Sequence, residues 1–254
     1  MRASRVLAVL LLGSALSTGV VASAFAGEVH VAVAANFTDA AKEIAAAFKE
    51  ATGDDAVLSF GSTGKLYTQI TQDAPFEVFL AADQARPEKV ETDGLGVAGS
   101  RFTYAVGKLV LWSRDASRVV DAETLKKADF TALSICNPVA APYGAAAIET
   151  MTSLGLYDGL KPKLVEGANI SQAYQFVDTG NAEVGFVALS QLAGKTEGSS
   201  WVIPQDLYKP IRQDAVLLKT GADNEAAKAF MAFLGGPKAH EIIAKYGYGF
   251  DAGS

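Results

Sequence analysis

An α/β fold in two lobes, with mainly parallel sheets, is what this 254-residue sequence predicts. Three observations lead to it. Short apolar runs alternate with amphipathic helical stretches along the chain beyond residue 27, the pattern of strands linked by helices that cover both faces of a sheet. The alternation comes as two series, on either side of a long strand pattern at 102–112 with Gly107 in its middle. No low-complexity linker separates them, so the chain is expected to change lobes through strand crossovers, at about Gly107 and again near Gln213. The expected division is 27–107 with 213–254 in one lobe and 108–212 in the other. A crossover pair makes a hinge with a cleft between the lobes, and ligands in such folds bind beyond the carboxyl ends of the strands.

Residues 1–26 read as an export leader. Arg2 and Arg5 precede an apolar run at 6–21, and Ala24-Phe25-Ala26 has the small-x-small form of a cleavage site, placing the cut after Ala26. The run is short for a membrane span and no second one follows, so the mature chain is expected to be exported and soluble, in the periplasm. Losing Arg2 and Arg5 leaves 20 basic against 28 acidic residues, a net charge near −8. Nucleic acid and anionic membranes are poor partners for such a surface. Cys136 is the only cysteine, so no intrachain disulfide is available. Its place in the run Leu133-Ser134-Ile135-Cys136 makes it a buried small hydrophobe.

In chain order, Ala40, Ile44, Ala45, Ala47 and Phe48 fall at helical spacing over 39–52, with Gly53 where a left-handed closing residue belongs. A buried strand at 56–60 turns through Gly61-Ser62-Thr63-Gly64 into a helix at 65–71. A strand at 78–81 precedes a helix opened by Pro87 and ended before Gly94. After the crossover pattern come a strand at 133–136, a helix at 143–154 entered through Pro142 and Gly144, and a strand at 163–166. Gly167-Ala168-Asn169 then leads into a helix at 170–178. A buried strand at 184–188 follows, then, after Trp201-Val202-Ile203-Pro204, a strand at 215–218, and helices at 224–234 and 237–246 close the chain.

Four strand-to-helix junctions stand out: Asn36 to Thr38, Ser62-Thr63, Tyr143, and Asn169-Ile170, two from each half. First-turn N–H groups have no intrahelical acceptor and sit at the positive end of the helix dipole, so each junction is a potential anion seat. Singly, each is also an ordinary helix cap, and Tyr143 also reads as a core aromatic. Together they point to an anion held between lobes. No Lys or Arg dominates them; Lys65 lies one step beyond and is expected to face solvent. A neutral seat made of donors alone cannot satisfy an acidic O–H, which favours a fully deprotonated tetrahedral oxyanion over a protonated phosphate.

Other chemistry is poorly served. Gly94-Leu95-Gly96-Val97-Ala98-Gly99 has dinucleotide-fingerprint spacing but follows a helix and precedes a strand, the reverse of the required context. Gly61-Ser62-Thr63-Gly64-Lys65-Leu66 lacks both the P-loop spacing and its metal-binding hydroxyl. His30 and His240 are away from the junctions, so Ser62 or Thr63 has no base, and Asp83 reads as a capping or hinge acid. No cluster has metal-ligand spacing. The glycosylation-type triplets at Asn36 and Asn169 fall inside the proposed cleft and read as accidental. The alternatives left open are a receptor for sulfate or another tetrahedral oxyanion, and a secreted α/β hydrolase.

The motifs Ala-Ala-Asn-Phe-Thr at 34–38, Gly-Ser-Thr-Gly at 61–64, Gly-Ser-Arg-Phe-Thr-Tyr-Ala-Val-Gly-Lys-Leu-Val-Leu-Trp-Ser at 99–113, Asn-Pro-x-x-Ala-Pro-Tyr-Gly at 137–144 and Gly-Phe-Val-Ala-Leu at 185–189 form an ordered set. Together they resemble the periplasmic molybdate-binding proteins of ABC transporters over essentially the whole mature chain. The resemblance implies a two-lobed venus-flytrap binding protein of type II with a two-strand hinge. It implies a monomer without catalytic activity or cofactor, which carries molybdate, and usually tungstate, to a membrane permease and its ATPase. It implies an amide or hydroxyl ligand at Asn36 with the backbone of Ala35 or Phe37 nearby, a hydroxyl ligand at Thr63 beside Ser62, and backbone donors at Tyr143 and Ile170. Ala188 stands where some relatives carry a tyrosine whose hydroxyl reaches the anion. The Tyr143 phenol is the candidate to replace it.

Overall fold

The structure, a computed structural model, describes residues 26–251. The leader expected over 1–26 therefore lies, but for its last residue, outside the described residues. From the N-terminus the chain runs β1 (Glu28–Ala34), α1 (Thr38–Thr52), β2 (Asp55–Gly61), α2 (Thr63–Ile70), β3 (Val78–Leu80), α3 (Ala85–Thr92) and β4 (Phe102–Gly107). It crosses at Lys108 into β5 (Leu109–Ser113), α4 (Glu123–Lys127), β6 (Leu133–Cys136), α5 (Pro142–Ser153), α6 (Tyr157–Leu160), β7 (Leu164–Gly167), α7 (Ile170–Asp178), β8 (Val184–Ala188) and β9 (Ser199–Val202). It returns through β10 (Ile211–Leu217) to α8 (Glu225–Leu234) and α9 (Pro237–Lys245).

The strands form two five-stranded sheets, ordered β2-β1-β3-β10-β4 and β7-β6-β8-β5-β9. Each lobe is built on one of them, and the two share a plan. Three adjacent strands pair in parallel, and the fourth runs against both of its neighbours. Four strands of each five thus point the same way, and the reversed one is the first strand after a crossing, β5 or β10. The α/β two-lobed expectation holds, but the sheets are mixed and not mainly parallel: two of the four ladders in each are antiparallel, because the strand that re-enters after a crossing runs against both neighbours.

Both faces of the inner strands are buried, which is why these read as continuous apolar runs, while the edge strands β2 and β9 keep exposed residues. In β1, Val29, Val31 and Val33 pack with Ile44 and Phe48 of α1 and Phe230 of α8, while Ala32 faces Leu66 and Ile70 of α2. Phe48 is held edge-on between Phe230 and Phe233, with centroids 5.3 and 5.6 Å away. Gly53 closes α1 at φ 84°, its N–H donating to Lys49 O at 2.9 Å. In the second lobe, Leu133, Ile135 and Cys136 of β6 lie beneath Ala146, Ala147 and Met151 of α5. Burial there pushes the Cys136 thiol up to about 12, so it is the inert apolar residue the sequence predicts.

The pattern at 102–112 divides at Lys108 into two strands of two sheets. The short helices α4 and α6 were not anticipated. The strand expected at 215–218 begins at Ile211, because the polar residues Gln213 and Asp214 are fully buried on partners distant in sequence.

Candidate functional site

The carboxyl ends of β1, β2 and β6 and the glycine that ends β7 lead to a small cavity between the lobes. It is lined by Ala34, Ala35, Asn36, Gly61, Ser62, Thr63, Ala82, Ala141, Pro142, Tyr143, Asn169 and Ile170, and the space among them, its open mouth included, is about 190 Å³. All four sequence-predicted junctions meet there, two from each lobe. None of the lining residues carries a formal charge.

The local sequence explains each donor. Ala34 precedes the single 3-10 turn Ala35–Phe37 that leads into α1, and Ala141 precedes α5; neither has a side chain able to cap, so the N–H groups of Ala35, Asn36 and Tyr143 are left for another acceptor. Pro142 occupies the position where an N–H would be wasted, leaving the Tyr143 N–H as the first donor of α5. Asn169 caps α7 by accepting from Gln172 N at 3.0 Å. That consumes a donor deeper in the turn and leaves the Ile170 N–H.

The two hydroxyls behave differently. Thr63 Oγ1 accepts from Ala82 N–H at 3.1 Å, which fixes the rotamer and leaves its proton to give. Ser62 Oγ has no partner at all, and among the described residues it is the one buried side-chain polar atom in that condition. A buried hydroxyl without a hydrogen bond costs about 1 to 3 kcal/mol, so its presence calls for a partner that enters the cavity. Ser62, named from sequence only as an additional contact, is thus the most exacting residue of the site.

The side chain of Asn36 is committed elsewhere. Its amide nitrogen donates to Gln213 Oε1 at 2.8 Å and to the Tyr248 phenol at 3.0 Å, so both amide hydrogens are used. What Asn36 offers the cavity is its backbone N–H. Phe37 does not line the cavity; its ring is core, edge-on to Tyr104 and Tyr248. Lys65 is exposed, as expected. Asp83 caps α3 by accepting from Arg86 N at 3.0 Å and pairs with the Arg86 guanidinium. Gln213 was missed, since a polar residue between two apolar strand halves gives no local sign of burial.

The lobes are drawn together around this cavity. Gly64 N–H donates to Ala140 O at 2.9 Å, Arg86 Nη2 to Val139 O at 2.8 Å, Ser190 Oγ to Asn36 O at 2.8 Å and Ser171 Oγ to Ala35 O at 3.3 Å. Each bond joins one lobe to the other, so the conformation is the closed one. A closed, uncharged cavity walled by N–H and O–H donors is suited to a desolvated anion whose oxygens accept in several directions at once.

Comparison with known proteins agrees with this architecture. Residues 29–249 match the family model for bacterial extracellular solute-binding proteins. The chain belongs to that family. It is 62% identical over 234 residues to the molybdate-binding protein ModA of Rhodobacter capsulatus, covering 92% of this chain and 93% of that one. It is 60% identical over 240 residues to ModA of Azotobacter vinelandii, covering 92% and 95%. Among solved structures, the Azotobacter vinelandii periplasmic molybdate-binding protein superposes with a TM-score of 0.85 at 40% identity, covering 88% of this chain and all of that one. The resemblance read from the motifs is borne out. Membership of a solute-binding family removes the hydrolase alternative: this is a binding protein and not an enzyme. Among the described residues no helix is long and apolar enough to cross a membrane.

Proposed function

We propose that this protein captures molybdate, and tungstate with it, as a desolvated dianion in the interlobe cavity and delivers it to an ABC permease. The observation that carries the reading is the unpartnered Ser62 hydroxyl in a neutral cavity where four helix starts converge. The names of the relatives at about 60% identity support the choice of anion. In this reading Ser62 and Thr63 donate their hydroxyls, and Asn36, Tyr143 and Ile170 donate main-chain N–H groups with Ala35 beside them. The crossing at Lys108 and the return over 203–210 serve as the hinge. The mature protein is a periplasmic monomer, cut after Ala26.

The test is thermal unfolding of anion-stripped mature protein with molybdate, tungstate, sulfate, phosphate or chromate in separate samples. A ligand at about 100 times its Kd adds about 2.7 kcal/mol, or about 5 to 10 °C in Tm for a chain of this size. A shift confined to molybdate and tungstate is expected. A shift with sulfate in place of molybdate would keep the fold and refute the assignment.

A second expectation concerns pH. Tyr143 is the one lining residue able to titrate, and burial pushes its phenol well above the ordinary range. Molybdate affinity is therefore expected to vary less than about twofold between roughly pH 6 and 9, because no seat group changes charge there. Isothermal titration at several pH values checks it; a steep slope would mean that a charged side chain contributes.

A further inference from the structure

We propose that Tyr143 couples anion capture to lobe closure, its main chain serving the seat and its side chain latching the hinge; the inference rests on the seat described above. Tyr143 belongs to α5 of the second lobe, but its phenol ends in the first. There it accepts a hydrogen bond from Gln213 Nε2 of β10 at 3.3 Å, and the ring is only 1% exposed.

The phenol lies on the hinge strand itself. Gly107 is the last residue of β4, one step before the crossing at Lys108. A Cβ there would overlap Tyr143 Oη and stand 2.6 Å from Gln213 Nε2. The ring therefore docks where any other residue would put its side chain. The backbone of Gly107 is otherwise ordinary, so glycine is required by this approach alone.

Gln213 connects the latch to the other half of the seat. The register of β10 against β4 shifts between Gln213 and Asp214, and a bulge of this kind re-aims the side chain. The Gln213 carboxamide turns inward, where Oε1 accepts from Asn36 Nδ2 at 2.8 Å and stands 3.1 Å from the Tyr104 phenol, while Nε2 serves Tyr143. One buried carboxamide thus holds a seat residue of each lobe. When the second lobe swings away, α5 carries the phenol with it, and Gln213 loses its acceptor. Closure around an anion restores that bond at the same moment that the Tyr143 N–H reaches the anion. Tyr143 and Gln213 are positioning residues here, acting on how long the cleft stays shut.

The experiment is a chase of bound anion from mature protein by stopped flow, comparing the parent with Tyr143→Phe, Gly107→Ala and the double variant. One neutral hydrogen bond is worth about three- to tenfold in an equilibrium constant. Tyr143→Phe is expected to release molybdate about three- to tenfold faster, with association within about twofold of the parent and an unchanged ratio of molybdate to sulfate affinity. Gly107→Ala should also speed release, and by less in the Tyr143→Phe background, where the clashing hydroxyl is gone; coupling of that kind marks residues in contact. Unchanged release from Tyr143→Phe, or independent effects of the two substitutions, would overturn the latch. A changed molybdate-to-sulfate ratio would also overturn it, by making the phenol an anion ligand. A parent that binds sulfate or phosphate in place of molybdate refutes the seat's assigned anion, and the same chase with the anion that does bind then decides the latch.

Discussion

Ser62→Ala is expected to weaken molybdate binding by about ten- to a hundredfold while leaving the ligand-free protein as stable as the parent or slightly more so. The two effects have one cause. Ser62 Oγ is buried with no partner in the closed cleft and meets water when the cleft opens, so its removal from the ligand-free protein breaks no protein hydrogen bond. In the proposed complex the same hydroxyl would donate to the anion, and a hydrogen bond to a charged group is worth about 1.5 to 3 kcal/mol. Thr63→Val is the informative contrast. Thr63 Oγ1 accepts the Ala82 N–H, so its loss orphans a buried donor and lowers the stability of the empty protein as well as its affinity. Calorimetric titration and unfolding of the stripped variants separate the two. Unchanged binding with a lowered ligand-free Tm in Ser62→Ala would make that hydroxyl structural and remove it from the seat.

Gly144→Ala is expected to do more damage than any exposed substitution on the same helix. A Cβ at Gly144 would overlap the Cys136 carbonyl oxygen and stand 2.9 Å from both the Cys136 carbonyl carbon and Pro138 Cα. These are backbone atoms at the end of β6 and in the turn that follows, and they have no side-chain freedom with which to yield. The first turn of α5 must lift off the sheet, which carries the Tyr143 N–H out of the cavity and its phenol off Gln213. Overpacking of a close-packed contact costs about 1 to 3 kcal/mol or more, and a misdirected donor adds its share of the affinity, for a combined loss in molybdate binding on the order of a hundredfold. Gly159→Ala is the control. It has open space around its missing Cβ and no positive φ, so reduced freedom of the unfolded chain should leave it neutral or more stable by up to about 1 kcal/mol. A Gly144→Ala variant with the parent's Tm and affinity would show that α5 can shift without consequence, contrary to the packing seen here.

Much of the site was legible in the sequence because helix starts are local objects. A strand of small apolar residues, a break at Asn36, Ser62, Pro142 or Asn169, and a helical period afterwards are visible within ten residues, and the backbone N–H groups they expose follow from helix geometry whatever surrounds them. The crossing near Gly107 was visible for the same reason, as a glycine inside an apolar run. Cys136 as inert core and Lys65 as a solvated side chain likewise follow from neighbours in the chain.

What required the tertiary structure is the assignment of side chains whose partners are far away in sequence. Asn36 looked like an amide ligand, but its hydrogens go to Gln213 and Tyr248, 177 and 212 residues later. Tyr143 looked like a candidate anion donor, and its phenol meets Gln213 seventy residues on. Gln213 and Asp214 fell just outside the strand expected from 215, and the buried Asp214 is a strand residue paired with Arg101 Nη1 at 2.6 Å. A hydrogen-bonding group has the same letter in the sequence whether its capacity is spent inside the fold or kept for a ligand. Helix starts declare their free donors through local geometry, whereas a side chain's remaining capacity is set only when distant segments pack against it. By itself the sequence determined where main-chain N–H groups are left over, and the packed lobes decided that the Ser62 hydroxyl stays unspent while the Asn36 amide does not.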